Sequence, residues 1–360
     1  MAIPLFATDL APLRGRLSAK LAEVLEGGRY ILGPEVEAFE REFADYLGVA
    51  HCVGVGNGTD AITIALRAMG VGEGDEVVCP SYTFYASVEA IVNAGATPVF
   101  CDVEPETACV TGDTVRAALT PRTRAIVAVH LFGNVAPMEE LKSLGLPVLE
   151  DAAQAAGATL AGRRAGSLGS AATFSFFPSK NLPCLGDGGA VVTDDPEVAK
   201  LARRLRFHGS DDKQTFVEVG YNSRLDEMQA AALRILLPEL DGWNAARREA
   251  AAAYERHGLG EHLGLPRVVD GAEHAYHLYM ARAEQADDLA SVLAERGIGA
   301  RGYYRVPVHR QPATARFASP GLDLPGTDAA ARTGIALPMG PELTDEAVRE
   351  VVDACASGST

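Results

Sequence analysis

Between residues 51 and 193 the chain alternates short apolar runs with segments of helical period, and this rhythm constrains the fold more than any other feature. The apolar runs are His51–Val55, Glu76–Cys79, Pro98–Asp102, Ala125–His130, Pro147–Glu150, Ala172–Phe177 and Gly189–Thr193. Their length and composition fit strands buried in a sheet. Helical patterns lie near 84–94, 113–119 and 137–143, and another carries Ile62, Ala65, Leu66 and Met69. Alternation of this kind predicts an α/β fold: a mostly parallel seven-stranded sheet flanked by helices. Ligands of such sheets gather at the carboxyl ends of the strands. The residues directly after each run are therefore the first candidates for chemistry.

The flanks read differently. Residues 34–47 place Val36, Phe39, Phe43 and Leu47 at helical spacing. An Ala-rich stretch from Leu225 to His257 predicts a long helix kinked at Pro238. Beyond it come a strand at Tyr276–Ala283, a helix over 286–296 and a final helix over 342–356 begun by Thr344. The division expected is a large domain, 1–239, and a small C-terminal α+β domain, 240–360. With 48% hydrophobic residues the chain has ample material for a core, and its net charge of −16 disfavours a nucleic-acid or anionic-membrane surface. No apolar run is long enough to span a bilayer. The six cysteines form no CxxC pair, which argues against zinc and suits a reducing cytoplasm, the expected location.

Five clusters follow strands or open helices. Gly56-Asn57-Gly58-Thr59-Asp60 sits on a strand-to-helix turn, where backbone N–H groups and the helix dipole suit a phosphate. Taken alone, a plain glycine turn with Thr59 as N-cap is the commoner explanation. The spacing matches neither the dinucleotide fingerprint nor the P-loop. Glu150-Asp151-Ala152-Ala153-Gln154 ends an apolar strand; one acid could pair with a protonated ring nitrogen, or simply cap the next element. Phe174 to Leu182 places Lys180 just past a buried strand, where desolvation would make its amine nucleophilic, although a surface lysine at a strand end is more common. Arg224, just before the long helix, could grip an anion or form a helix-start ion pair. Tyr303, Tyr304, His309 and Arg310 share a loop that suits an anionic ligand or plain solvent equally. His277, between apolar neighbours, reads as a satisfied core histidine.

In order, the strings GNGTDAI (56–62), PSYTF (80–84), LTPRTRAIVAVHLFG (119–133), LEDAAQAAGA (149–158), FSFFPSKNLPCLGDGGAVVT (174–193), GYNSRLDEMQAA (220–231) and LPMGPELTDEAV (337–348) resemble the DegT/DnrJ/EryC1/StrS family of sugar aminotransferases. The resemblance covers nearly the whole chain. It implies the fold-type I aminotransferase architecture, pyridoxal 5′-phosphate (PLP) as cofactor, and a homodimer with active sites shared between subunits. It implies that Lys180 holds PLP as a Schiff base and shuttles protons, that Asp151 pairs with the pyridine nitrogen, that Gln154 lies near the ring hydroxyl and that Phe84 stacks on the ring. Gly58, Thr59 and Ser175 correspond to a phosphate cup, which Asn222 reaches from the other subunit. Gly28, Tyr30, Ser179, Arg224 and His309 fall at substrate-contact positions. Three features depart from the pattern: Pro183-Cys184 after the lysine turn, Ser170 where many relatives carry Asp, and a shortened segment Leu141–Pro147.

The function expected from the resemblance is transfer of an amino group from L-glutamate to a nucleotide-linked keto sugar. The Ser-Lys-Asn-Leu string favours the 3-keto over the 4-keto position. A keto-cyclitol aminotransferase, a dehydratase of the same fold and a non-catalytic PLP-binding regulator are the alternatives. Retention of Lys180, Asp151 and Gln154 together counts against the last. No metal is expected.

Overall fold

The structure is a computed structural model that describes residues 2–6 and 8–358. Its strands in chain order are β1 (His51–Val55), β2 (Glu76–Pro80), β3 (Thr97–Cys101), β4 (Thr123–Val129), β5 (Val148–Asp151), β6 (Thr159–Leu160), β7 (Arg163–Arg164), β8 (Ala171–Ser175), β9 (Gly189–Thr193), β10 (Ala272–Glu273), β11 (Tyr279–Arg282) and β12 (Gly334–Leu337). Seven of them form one sheet in the order β1-β9-β8-β5-β4-β2-β3. The pairs β2–β3, β2–β4, β4–β5 and β5–β8 are parallel. Strand β9 runs antiparallel to both its neighbours, β1 and β8. The mostly parallel seven-stranded α/β sheet is thus as the sequence rhythm predicts, with each strand within two residues of its apolar run.

Helices α1 (Arg14–Gly27), α2 (Pro34–Leu47), α3 (Gly58–Ala68), α4 (Ala86–Asn93), α5 (Gly112–Ala118), α6 (Met138–Lys142), α7 (Pro196–Leu205) and α8 (Glu227–Leu236) cover the sheet. Every residue of β2, β5 and β9 is buried, so the sheet is covered on both faces where they run. Helix α2 starts with Pro34 and two acids, which suit the orphan N–H groups and the dipole of a first turn. It ends at Gly48, in the left-handed conformation. Its buried stripe is the one expected: Val36, Phe39, Phe43 and Leu47. Phe43 packs edge-on against Phe174, at a centroid distance of 5.0 Å, and against Phe176 at 5.5 Å, which docks α2 on β8 and the turn leading to Lys180. Truncating such a side chain costs about 3–5 kcal/mol.

The predicted long helix is broken at Pro238. A 3₁₀ turn, Leu237–Glu239, separates α8 from α9 (Leu240–Arg256). Beyond it, β11 pairs antiparallel with β12, and α10 (Ala286–Glu295) and α12 (Asp345–Gly358) pack together and beside α9. Helix α11 (Pro325–Thr333) leads into β12. Thr344 Oγ1 accepts from Ala347 N–H at the start of α12, as expected. A second apolar cluster, with Tyr254, Tyr279, Leu293, Ile335 and Val351, holds this part together and takes in Ile3 from the start of the chain. Strand β11 begins at Tyr279, later than the expected Tyr276, because 274–278 loops past the sheet: Ala275 N–H bonds Gly133 O, and Leu278 N–H bonds Phe132 O. Among the described residues no helix is long and apolar enough to cross a membrane.

Candidate active site

The strand direction brings six connections to one end of the sheet. Strands β1, β2, β3, β4, β5 and β8 all end there, and antiparallel β9 begins there. Gly189 pairs with Val55 on one side and with Ser175 on the other, so the turn after β1 and the end of β8 are held together across it.

At that turn the helix N-cap is Asn57, not Thr59. Its Oδ1 accepts from Asp60 N–H at 2.8 Å, while Ser223 Oγ accepts from Gly56 N–H at 3.0 Å. Gly58 and Thr59, the first two residues of α3, have N–H groups with no intrahelical acceptor. A Cβ on Gly58 would lie 2.7 Å from Ser175 Cβ, and one on Gly189 would lie 2.5 Å from the Asn57 carbonyl. The glycines therefore let a helix N-terminus, a hydroxyl and a strand start converge, an arrangement suited to a phosphate. Gly58, Thr59 and Ser175 lie together here.

The buried carboxylate of Asp151 ends β5. Its Oδ2 accepts from Ser87 Oγ at 2.7 Å and its Oδ1 from Ala153 N–H at 3.3 Å. The neighbouring Glu150 takes no part in the site. It faces the other way, accepting from Gly166, Leu168 and Gly169 N–H and pairing with His130 Nε2 at 2.8 Å. No helix follows for either acid to cap, so the two carboxylates divide into one that shapes a loop and one that lies at the strand end. Gln154 Oε1 accepts from Phe132 N–H at 2.7 Å, which orients the amide so that Nε2 donates to Tyr304 Oη at 3.2 Å. The Tyr304 ring lies 6.0 Å from that of Phe84, which is 54% exposed and free to cover a planar group. Tyr304 was visible in the sequence only as part of an aromatic and basic loop. Nothing local marks it as a neighbour of Gln154, which is 150 positions away.

Lys180 follows β8 in a turn closed by its own N–H to Phe177 O at 2.8 Å. Its neighbour Asn181 anchors the turn: Nδ2 donates to Asn244 Oδ1 and to Ala275 O, both at 2.8 Å, and Oδ1 faces His277 Nδ1 at 3.3 Å. His277 is the buried, satisfied histidine that the sequence suggests. Burial pushes the Lys180 amine down to about 8, with the Asp151 carboxylate opposing that fall. The residue as a whole is half-buried and keeps some exposure. Among the described residues no protein group accepts a hydrogen bond from Nζ. A desolvated, unengaged amine is poised for nucleophilic use. Pro183-Cys184 follows the turn, where Cys184 N–H bonds Phe176 O at 2.6 Å and its side chain is buried.

The remaining expected positions lie outside these contacts. Gly28 caps the end of α1 with φ of 65°, and Tyr30, 46% exposed, donates its hydroxyl to Leu25 O. Ser179 is half-buried beside Lys180. Asn222 is exposed and bridges to Phe207. The Arg224 guanidinium lies 5.9 Å from the Phe207 ring, with no carboxylate paired to it among the described residues. His309 is buried, its Nδ1 bonded to Ser81 Oγ and its ring near Phe100. Burial also lowers its pKa. A separate cavity of about 20 Å³ between Tyr82, Phe132, Asn134 and His274 has room for roughly one water and is not part of the site.

The DegT/DnrJ/EryC1/StrS aminotransferase family model matches residues 13–356. The chain belongs to this family. A dTDP-3-amino-3,4,6-trideoxy-alpha-D-glucose transaminase from Streptomyces venezuelae is 49% identical over 350 residues, covering 95% of this chain and 92% of that protein. A UDP-N-acetyl-3-dehydro-alpha-D-glucosamine 3-aminotransferase from Acidithiobacillus ferrooxidans is 42% identical, covering 97% and 96%. The solved structure of S. venezuelae DesV in complex with a ketimine intermediate superposes with a TM-score of 0.96 at 46% identity, covering 99% of this chain and 98% of that one. This DegT-family chain is a PLP-dependent sugar-nucleotide aminotransferase. The donor set suits its cofactor: an unengaged amine, a buried carboxylate, an exposed aromatic face and an open helix N-terminus share one sheet edge.

Proposed function

We propose that the enzyme moves an amino group from L-glutamate to the 3-keto carbon of a nucleotide-linked sugar, releasing 2-oxoglutarate and the 3-amino sugar nucleotide. The observation that carries this reading is the Lys180 amine, lowered to about 8 on the same edge as Asp151 and the α3 N-terminus. The choice of the 3 position is supported by the relatives named above, whose products or substrates bear nitrogen or a keto group at C3.

Bound PLP supplies the electron sink that makes the proton on the carbon bearing the amino group removable. Gly58 and Thr59 N–H with Ser175 Oγ hold the phosphate. Asp151 would accept from the ring nitrogen and keep it protonated, Gln154 would flank the ring hydroxyl, and Phe84 would cover one face. Lys180 Nζ takes the proton from the glutamate Cα and later returns one to the sugar C3, a role that its lowered pKa suits. Gly28, Tyr30, Ser179, Arg224 and His309 contribute to the sugar-nucleotide side. Asn222 reaches the phosphate of a second copy in a homodimer. Its exposure, and that of Phe216, Val217 and Val219 in the preceding segment, supports that arrangement. Six buried free cysteines suit a reducing cytoplasm.

The test separates the two half-reactions. The aminated form of the purified enzyme is mixed with dTDP- and UDP-linked 3-keto and 4-keto sugars and with keto-cyclitols, and products are followed by mass spectrometry. Amination of 3-keto sugar nucleotides is expected. Turnover with only 4-keto sugars or cyclitols would overturn the substrate, and a donor other than glutamate would overturn the first half.

A further inference from the structure

Two side chains that the roles above leave unused form a line leading to Asp151. Thr83, on the connection after β2, and Ser87, in the first turn of α4, place their hydroxyl oxygens 3.0 Å apart, and Ser87 Oγ lies 2.7 Å from Asp151 Oδ2. Thr83 and Ser87 are each 1% exposed. A helical serine ordinarily bonds back within its own helix or faces water. Ser87 instead reaches a carboxylate 64 positions away. The protons of this chain have only one order. A carboxylate only accepts, so Ser87 spends its single proton on Asp151, and its lone pair is left to accept from Thr83. The result is a directed relay from Thr83 to Ser87 to Asp151, with each donor polarised by the next acceptor. On the other oxygen, Ala153 N–H fixes the carboxylate plane.

We propose that Ser87, backed by Thr83, is a positioning residue that sets the orientation and hydrogen-bonding strength of the Asp151 carboxylate toward the ring nitrogen of the bound cofactor. The inference rests on the assignment of Asp151 to that nitrogen. A hydrogen bond to a carboxylate stabilises its charged form and weakens its pull on a second proton. Without Ser87 the shared proton shifts toward Asp151, the ring nitrogen carries less positive charge, and the nitrogen joining the cofactor to Lys180 becomes more basic.

The experiment is a pH titration of the visible absorbance of the PLP-loaded enzyme, with cofactor affinity measured alongside by fluorescence. Ser87→Ala should raise the titration midpoint by roughly half a unit or more, since a hydrogen bond to a charged group is worth on the order of one pKa unit and part of it is transmitted. Thr83→Val, nearly isosteric, should shift it in the same direction by less. Asp151→Asn is the control. If it leaves the midpoint and affinity unchanged, the assignment of Asp151 itself fails. If Asp151→Asn moves the midpoint while Ser87→Ala and Thr83→Val, both folded by circular dichroism, leave it in place, the relay is purely structural and the proposal is overturned.

Discussion

The backbone of Gly58 passes so near Ser175 that a single added methyl would overlap the serine side chain, at 2.7 Å between Cβ atoms. Gly58→Ala must therefore push the start of α3 away from β8. Overpacking of this kind costs about 1–3 kcal/mol. The larger loss is expected in PLP affinity, by about tenfold or more, because the N–H groups and the hydroxyl no longer converge. Equilibrium dialysis with PLP checks it. An unchanged affinity would place the phosphate elsewhere.

Lys180 links site chemistry to stability. Its amine titrates at about 8 in the fold, against an ordinary 10.5. Below pH 8 both folded and unfolded chains carry the proton, and the cost of burying the charge is fully present. Between 8 and 10.5 the unfolded chain binds more protons, so the contribution to stability rises with pH until the cost is gone. Lys180→Met should stabilise the apoprotein at pH 7.5 by about 1–3 kcal/mol, with the gain vanishing above pH 10.5, and should abolish turnover. Urea unfolding of both apoproteins at the two pH values reads this directly. A destabilised variant at pH 7.5 would contradict the burial argument.

Tyr304→Phe keeps the ring against Phe84 but removes the acceptor of Gln154 Nε2. A buried donor left unpaired costs about 1–3 kcal/mol, and the freed amide can turn away from the cofactor. The expected outcome is a fall in kcat/KM of about tenfold, beyond what a stability loss of that size accounts for. Steady-state kinetics with thermal denaturation separates the two. Unaltered kinetics would remove Tyr304 from the site.

Glu227 is the structural counterpart. From the first turn of α8 its buried carboxylate accepts from Gly33 and Val36 N–H through Oε1, at 2.7 and 3.0 Å, and from Glu35 N–H through Oε2 at 2.9 Å. It thereby caps α2 from another helix. Glu227→Ala leaves three donors at the start of α2 without that partner and should destabilise the protein by about 2–4 kcal/mol. PLP affinity should change little once the chain is folded. A loss under 1 kcal/mol in chemical denaturation would show that water replaces the carboxylate.

The contrast between Asp226 and Glu227 shows how far the sequence is readable. Both acids suit the start of α8 by charge, and Asp226 does cap it, accepting from Gln229 N–H. Glu227 turns to a helix some 190 residues away, and no local pattern announces that. The same division holds in the site. The strand-to-helix turn at Gly58, the acid at the end of β5 and the lysine past β8 follow from periodicity and strand direction, because those rules act over a few residues. Thr59 looks like the cap by residue type, but Asn57, two residues earlier, takes the role. Ser87 is invisible, and Tyr304 is legible only as part of an aromatic and basic loop, because their significance lies in what the folded chain sets opposite them. The expected strand start at Tyr276 fails for the same reason, as backbone bonds to Phe132 and Gly133 claim 275–278.

Among the described residues, strand β1 has β9 as its only ladder partner in the sheet. A ribosome must therefore release nearly two hundred residues before the first strand of the sheet finds its place. Until then β1 is an apolar strand with unpaired edges, the kind of segment on which nascent chains aggregate. Since Gly189 closes β1 and β8 together, the turn at Gly58 is completed by the last strand of that sheet to emerge. Cofactor capture then becomes possible only after the sheet is whole, so fragments ending before Thr193 should bind no PLP, however well their helices form.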